Sequence, residues 1–555
     1  MFVDMGKVND IADRYVGQFA ELDPLVATSV GINGFDHLMT DLSPEGFAAR
    51  AALDRATIAE LENIEASGSE DFAKQAMLER LTIACELYES GALNSELNVI
   101  ASRLQGVREV FDLMPVHGEQ AQRNLADRMS DVASAYAGLR RTYMDAAAQG
   151  CIAPRRQVLA CVKQCADWSA GGSDFYSSLV ARTGATGTIR ADLDRAASSA
   201  RRATAEFGRF LETELLPHAR KRDAAGRDRY GLASRAFLGA EIDLDEAYAW
   251  GWAEVMRIED EMRRIAGQIV PDGSVAEAVA ALDADPARRV TGRDAMRAWM
   301  QGVADAAMTE LDGTHFDIPA PARRIECMIA PTTAGGIYYT GPSEDWVRPG
   351  QMWWALGDGV DDFATWKEVT TIYHEGVPGH HLQSAQAVFL SDRLNRWQRL
   401  VCWISGHGEG WALYAERLMD ELGYLDDPGN KLGMLDAQLL RAARVVVDIG
   451  VHLELPVPRD SPWRPGEIWN AHLAWEYLRT RVQVEEQMLR FELDRYLGWP
   501  GQAPSYKIGE RIWLEAREEA RRRRGPAFSL RDFHSEALAL GSIGLDPLRE
   551  ALARL

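Results

Sequence analysis

The chain has 555 residues, of which 46% are hydrophobic, and it carries a formal net charge of -22. This acidic balance argues against binding to nucleic acid or to an anionic membrane surface and favours a soluble protein. The length allows a large buried core, and no low-complexity linker or internal repeat divides the chain, so we predict a single domain over residues 1–555.

The start of the chain predicts no export signal. Residues 1–13 carry acidic side chains and no long apolar run, and no later stretch approaches the roughly 20 apolar residues of a membrane span. The six cysteines are spread along the chain, and we interpret them as reduced, mostly buried thiols. Together these patterns predict a cytoplasmic localisation.

The first half of the sequence has a composition that favours helices. Segments such as 71–87 and 120–149 are rich in Ala, Leu, Glu and Arg and contain few β-branched runs. This composition predicts an all-α N-terminal lobe over about residues 1–300.

The residue composition changes between about 315 and 360. Three short runs, 325–330, 336–340 and 351–356, are aromatic or β-branched and are bounded by Gly and Pro. They predict the strands of a small sheet beside the helix that follows. An edge strand there could pair with the backbone of an extended substrate, the alternative being a packing hairpin without a ligand.

The next predicted helix, 361–390, carries the densest cluster of metal-ligand side chains. His374, Glu375, His380 and His381 lie within eight consecutive positions. Imidazoles and carboxylates are the ligands that zinc prefers, and a metalloprotease keeps its general base directly beside its first histidine, where Glu375 stands. The alternative is a pair of buried histidines at a helix end.

The spacing within this cluster departs from the motif H-E-x-x-H. Position i+4 from His374 is Pro378, while His380 and His381 lie at i+6 and i+7. On a regular helix i+7 returns to the face of His374. Pro378 and its two flanking glycines instead predict a kinked or bulged helix, which would bring His380 into the second ligand position. The second ligand therefore stays open between His380 and His381.

A second predicted helix, 405–422, supplies further carboxylates. Glu409 lies in its first turn, 29 residues beyond His380, which suits a third ligand from an adjacent helix. Glu416 lies two turns later and is expected either to orient a ligand or to be an exposed or salt-bridged carboxylate.

Five segments carry a resemblance that runs nearly end to end. They are D-P-x-x-A-T at 23–28, H-E-G-V-P-G-H-H-L-Q at 374–383, E-G-W-A-L-Y-A-E at 409–416, R-A-A-R-V-V-V-D-I-G-V-H at 441–452 and P-G-Q-A-P-S-Y-K-I-G at 500–509. The combination resembles the bacterial family called "domain of unknown function eight-eight-five", whose members look like zinc peptidases. That family is similar to the mainly α-helical clan of carboxypeptidase Taq, thimet oligopeptidase and angiotensin-converting enzyme.

The resemblance implies a fold and a set of roles. The fold is mainly α, with two helical lobes that enclose a channel and with a catalytic part over about 310–520. The resemblance implies a zinc cofactor held by His374, His380 and Glu409, with Glu375 as the general base. It also implies that Tyr506, in the P-S-Y segment, reaches the substrate carbonyl.

We therefore expect a zinc-dependent hydrolase that cleaves peptide or amide bonds in short peptides or small amides, because a channel excludes folded proteins. Arg441, Arg444 or Lys507 could pair with a substrate carboxylate, which would make the cleavage carboxypeptidase-like. Two alternatives stay open: a binding or scaffold protein that kept the fold but lost the chemistry, and an amidase of a biosynthetic pathway. The oligomeric state is also open.

Overall fold

The computed structural model describes residues 6–170, 174–330, 336–357 and 359–554. Helices make up 68% of the structure and strands 5%, which confirms the prediction of a mainly α fold. Within these residues, every helix is too short or too polar to cross a membrane.

The α-helices follow one another along the whole chain. In chain order they are α1 Gly6–Leu22, α2 Pro24–Ser29, α3 Pro44–Glu62, α4 Ser69–Glu89, α5 Arg103–Leu113, α6 Glu119–Ser130, α7 Val132–Ala148, α8 Arg155–Ser169, α9 Phe175–Arg182, α10 Gly187–Phe210, α11 Arg227–Leu238, α12 Leu244–Ile269, α13 Val275–Ala284, α14 Arg293–Leu311, α15 Thr365–Glu375, α16 His380–Phe389, α17 Ser405–Glu421, α18 Pro428–Leu453, α19 Ala471–Arg479, α20 Glu486–Gly498, α21 Ser505–Arg524, α22 Leu530–Leu538 and α23 Leu545–Arg554.

The chain divides into two compact units. One comprises Met1–Ala233, Val451–Ala471 and Gln487–Pro500, and the other comprises Ser234–Gly450, His472–Glu486 and Gly501–Leu555. All the predicted ligands and catalytic residues belong to the second unit. The enclosed channel and the division into a helical lobe and a catalytic part stay predictions.

In the first unit, the early D-P-x-x-A-T segment has a structural role. Asp23 is fully buried at the start of α2, where its carboxylate accepts hydrogen bonds from Thr40 Oγ1 at 2.7 Å and from Arg103 Nη1 at 2.8 Å. Burial alone would raise the pKa of Asp23, but Arg103 is among the groups that hold this pKa below its ordinary value. Because a buried charge is tolerated only when it is paired, these bonds fix the entry to α2.

The strands form two small sheets. They are β1 Arg289–Thr291, β2 Ile325–Ile329, β3 Ile337–Thr340, β4 Gly350–Trp354 and β5 Asp362–Ala364. β4 is the central strand of a three-stranded sheet, parallel to β2 and antiparallel to β3. These are the three predicted strands. The antiparallel pair of β1 and β5 was not predicted.

The three-stranded sheet lies beside the helix that carries the first histidine, as predicted. Ile372 of α15 packs in one apolar core with Ile325 and Cys327 of β2 and with Met352 and Trp354 of β4. Burial of this face of the sheet against α15 fixes the position of the helix from one side.

The predicted helix 361–390 is two helices, so the prediction of one kinked helix is corrected. α15 ends at Glu375, α16 begins at His380, and residues 376–379 form a tight connection in which Gly379 N donates to Tyr373 O at 3.0 Å. A Cβ atom on Gly379 would lie 1.9 Å from the carbonyl oxygen of His374. Only glycine fits so close to the preceding turn.

Candidate metal centre

The three predicted ligands meet at one place in the second unit. His374 lies at the end of α15, His380 at the start of α16 and Glu409 near the start of α17. His374 Nε2 lies 3.4 Å from Glu409 Oε2, and His380 Nε2 lies 3.5 Å from the same oxygen. One donor atom of each residue lies within 4.8 Å of the other two.

This donor set fits a zinc ion. Zinc binds imidazole nitrogen and carboxylate oxygen at about 2.0–2.2 Å, so neighbouring ligand atoms of a tetrahedral site lie about 3.3 Å apart. The two nitrogen–oxygen distances in the cluster are close to that value and are long for hydrogen bonds. Two imidazoles and one carboxylate leave a fourth position open, as catalytic zinc sites do.

Glu416 orients the first histidine. Its carboxylate accepts a hydrogen bond from His374 Nδ1 at 2.7 Å and another from Thr370 Oγ1 at 3.0 Å. Because Nδ1 is engaged, Nε2 of His374 is the nitrogen that faces His380 and Glu409. Glu416 is buried, so it is not an exposed carboxylate, and its role in orienting a metal ligand stays a prediction.

The carboxylates make the centre favourable for a cation. Burial lowers the pKa of His374, but Glu409 and Glu416 outweigh burial and raise the pKa to about 9. Burial would likewise raise the pKa of Glu409, yet His374 and His380 hold it well below its ordinary value. A metal ion that binds through Nε2 of His374 must therefore displace a proton.

Glu375 is buried directly after the first histidine. Burial raises the pKa of its carboxyl group, while the neighbouring side chains of His380, His374 and Arg441 act in the opposite direction. Among the described residues, none donates a hydrogen bond to the Glu375 carboxylate. Because His374, His380 and Glu409 all act on the pKa of Glu375, its carboxyl group lies near the three predicted ligands.

His381, the alternative second ligand, does not join the cluster. Its Nε2 donates to the carbonyl oxygen of Ala322 at 2.7 Å, and its Nδ1 accepts a hydrogen bond from the Tyr339 hydroxyl at 2.9 Å. Burial lowers the pKa of His381 to about 4, so the ring is neutral. Both nitrogens are occupied, and this leaves His380 as the histidine that faces His374.

The connection between α15 and α16 positions His380. The peptide bond before Pro378 is cis. The indole Nε1 of Trp411, a fully buried residue of α17, donates to the carbonyl oxygen of Pro378 at 2.9 Å and approaches that of Gly379 at 3.3 Å. The start of α16 is therefore tied to the helix that carries Glu409.

A close crossing of α17 and α21 positions Glu409. A Cβ atom on Gly410 would lie 2.5 Å from the Cα atom of Gly509, and a Cβ atom on Gly509 would lie 2.0 Å from the carbonyl oxygen of Gly406. The two backbones touch because all three residues are glycine. Glu409 lies within this contact, so the spacing of the helices fixes its carboxylate.

The remaining candidate residues, Lys507 and Tyr506, have different surroundings. The Nζ atom of Lys507 is buried and bonds to Gln438, Glu510 and, at 3.0 Å, Glu254, which occupy its three donors. Lys507 is therefore not available to a substrate carboxylate. Tyr506 is half-buried, and its ring lies 4.8 Å from the Arg444 guanidinium. The role of Tyr506 at the substrate carbonyl stays a prediction.

Two residues near the cluster were not predicted. Thr370 lies four residues before His374, on the same face of α15, and helical spacing could have found it. Trp403 contacts His380 although it precedes α17, and no periodic signal marks it.

Comparisons with known proteins agree with this fold. The family model described as "Bacterial protein of unknown function (DUF885)" matches residues 24–552. No curated protein sequence matches the chain. A solved structure called "putative lipoprotein from Colwellia psychrerythraea" is 22% identical, with a TM-score of 0.85 over 100% of this chain and 99% of that one. Another, a "putative lipoprotein of unknown function from Shewanella oneidensis", is 17% identical, with a TM-score of 0.74 over 98% and 99%. At these identities the two structures share the fold.

Proposed function

The chain belongs to the DUF885 family of bacterial proteins of unknown function, as its motifs predicted, and we propose that it is a zinc-dependent hydrolase of peptide or amide bonds in short peptides or small amides. One observation carries the proposal. Nε2 of His374 and Nε2 of His380 lie 3.4 and 3.5 Å from Oε2 of Glu409, with a buried carboxylate directly after His374.

Each residue of the centre would have a separate role in such a reaction. When bound, zinc would polarise the amide carbonyl and lower the pKa of a water molecule toward about 7. His374, His380 and Glu409 would hold the ion, and Glu416 would keep the ring of His374 oriented. Glu375 would accept the proton of the attacking water and pass it to the leaving amine, a transfer that its raised pKa favours.

Tyr506 is proposed as a hydrogen-bond donor to the developing oxyanion. Its ring rests near the guanidinium of Arg444, a buried side chain, which restricts the movement of the phenol. The resemblance of its P-S-Y segment to the carboxypeptidase Taq type supports the same role.

The ligand assignment predicts the zinc content of four variants. Wild type should hold one zinc ion per chain, and His374→Ala, His380→Ala and Glu409→Ala should each bind zinc at least about a hundredfold more weakly, because each loses a direct ligand. His381→Ala is the matched control, since the hydrogen bonds of His381 go to Tyr339 and Ala322, and it should keep its zinc. The measurement is atomic emission after dialysis against a zinc buffer.

Two results would contradict the assignment. Full zinc in Glu409→Ala would remove Glu409 from the ligand set. Retention of zinc in His380→Ala together with its loss in His381→Ala would move the second ligand by one residue.

Arg441 supports a carboxypeptidase-like mode of cleavage. Its guanidinium lies near enough to Glu375 and Glu416 for its positive charge to oppose the rise in pKa that burial gives each carboxyl group. Its Nη1 atom donates to the carbonyl oxygen of Ala437, and its buried Nε atom has no hydrogen-bond partner among the described residues. Because the Arg441 side chain as a whole is partly exposed, its guanidinium is the group proposed to pair with a substrate carboxylate.

A peptide-library digest read by mass spectrometry tests this mode. Zinc-loaded protein should release C-terminal residues from peptides with free ends at least about tenfold faster than from the same peptides with amidated ends, and Arg441→Met should lose this preference. Equal cleavage of both forms by wild type would remove the anchoring role of Arg441 while leaving the hydrolase intact. Stably folded proteins should resist digestion.

Two alternatives predict other outcomes. A binding or scaffold protein would hold zinc but cleave no member of the library. An amidase of a biosynthetic pathway would share the centre and reject the peptides while cleaving a small amide. The cytoplasmic localisation also stays a prediction.

A further inference from the structure

An exposed tryptophan stands beside the candidate metal centre. Trp403 is 60% exposed, whereas its neighbours Cys402 and Ile404 are buried. The backbone of both neighbours is extended, so successive side chains point in opposite directions. Burial of Cys402 and Ile404 therefore holds the indole of Trp403 toward solvent.

The indole ring is fixed against two segments that carry ligands. Its centroid lies 6.0 Å from that of the His380 ring. A Cβ atom on Gly408 would lie 2.4 Å from Cη2 of Trp403, so the ring packs directly on the glycine backbone next to Glu409. The glycine is what lets the indole approach this part of α17.

We propose that Trp403 is a specificity-determining residue, which binds the apolar side chain of the substrate residue next to the bond that is cut. This inference rests on the proposed hydrolase function. The substrate class that follows is short peptides or amides with an aromatic or large aliphatic group beside the scissile bond.

The chemistry of the indole supports this choice of ligand. A large apolar surface left in water is unfavourable, and a substrate ring that covers it gains both the hydrophobic term and a ring–ring contact. Trp403 is held by its buried neighbours and by Gly408, so little rotamer freedom is lost when a ligand binds. A charged substrate group would gain neither of the two apolar terms.

Two zinc-binding probes of different size test the inference. Acetohydroxamic acid and N-hydroxy-3-phenylpropanamide share the chelating group, and only the second carries a phenyl ring. Calorimetric titration of zinc-loaded wild type should show the phenyl probe at least about tenfold tighter. Trp403→Ala should reduce this ratio to about one, and Trp403→Phe should keep most of it.

The controls separate the subsite from the metal centre. Phe389→Ala removes another exposed aromatic side chain, about 13 Å farther along α16 from His380, and should leave the ratio unchanged. Zinc content and melting temperature should match wild type in all the variants. An unchanged ratio in Trp403→Ala, or a ratio of one in wild type, would overturn the role of Trp403 alone. If neither probe binds zinc-loaded protein, the proposed hydrolase centre is wrong and the subsite with it.

Discussion

Glu375→Gln is expected to lower kcat on cleavable library peptides by between a hundredfold and about ten thousandfold, the usual contribution of a general base. Glutamine has nearly the same shape as glutamate but cannot accept the proton of water. Because no described residue donates a hydrogen bond to the Glu375 carboxylate, the substitution breaks no such bond. Zinc content and melting temperature should therefore stay close to those of wild type.

A matched control comes from the same helix. Glu368 of α15 accepts a hydrogen bond from Trp354 Nε1 at 3.1 Å and is not part of the cluster, so Glu368→Gln should keep kcat within about twofold. Full activity in Glu375→Gln would show that another group takes the proton. Inactivity of wild type itself, with zinc bound, would favour the non-catalytic alternative.

Gly509→Ala should cause a large loss of stability. Its new methyl group would lie 2.0 Å from the carbonyl oxygen of Gly406 and 2.8 Å from the Cα atom of Gly410, and both are backbone atoms that cannot rotate away. α17 and α21 would have to separate, at a cost of about 3 kcal/mol or more, and Glu409 would move with α17. Denaturant unfolding and zinc affinity measure the two effects, and both should fall.

Gly302→Ala provides the comparison. This glycine lies inside α14, where an added Cβ would meet no heavy atom of the described residues within 4 Å apart from its own helical backbone and chain neighbours. The substitution should raise the free energy of unfolding slightly, by about 0.5–1 kcal/mol, because alanine favours the helix. Equal stability of Gly509→Ala and wild type would mean that the helices can separate without loss, and the account of the crossing would be wrong.

The elements that the sequence predicts correctly are those whose residues alone carry the signal. The three strands were found because each is a short apolar run between Gly and Pro. The pair of β1 and β5 was missed, since strands of three residues carry almost no signal of their own and form only when residues 289–291 meet 362–364. The sequence predicts one helix over 361–390 because no local pattern shows that the connection at 376–379 interrupts it.

The choice between His380 and His381 could not be made from spacing. It depends on the turn at 376–379, and that turn is held by a hydrogen bond from Trp411, which lies more than thirty residues later in the chain. The environment of His381 is equally distant, because its partners Ala322 and Tyr339 precede it by 59 and 42 residues. Such contacts are tertiary and leave no periodic trace.

For Lys507 the sequence predicts a role that the structure excludes. Its place in a motif suggested that Lys507 binds a substrate carboxylate. Its ammonium group instead pairs with Glu254 of α12 and donates to Gln438 in a buried network. Net charge and motif membership do not reveal that a cation is already paired.

The hydrogen bond between Trp411 and the carbonyl oxygen of Pro378 bears on protein engineering. A helix that carries only the His-Glu motif, grafted into another scaffold, would bring one proposed ligand and the proposed base but would leave His380, the second proposed ligand, without a defined position. The smallest transferable module comprises α15, the turn at 376–379, the start of α16, and α17 with the glycine face of α21 against it. A designer who wishes to reuse this centre must therefore copy a packed assembly of helices, and a short sequence cassette will not suffice.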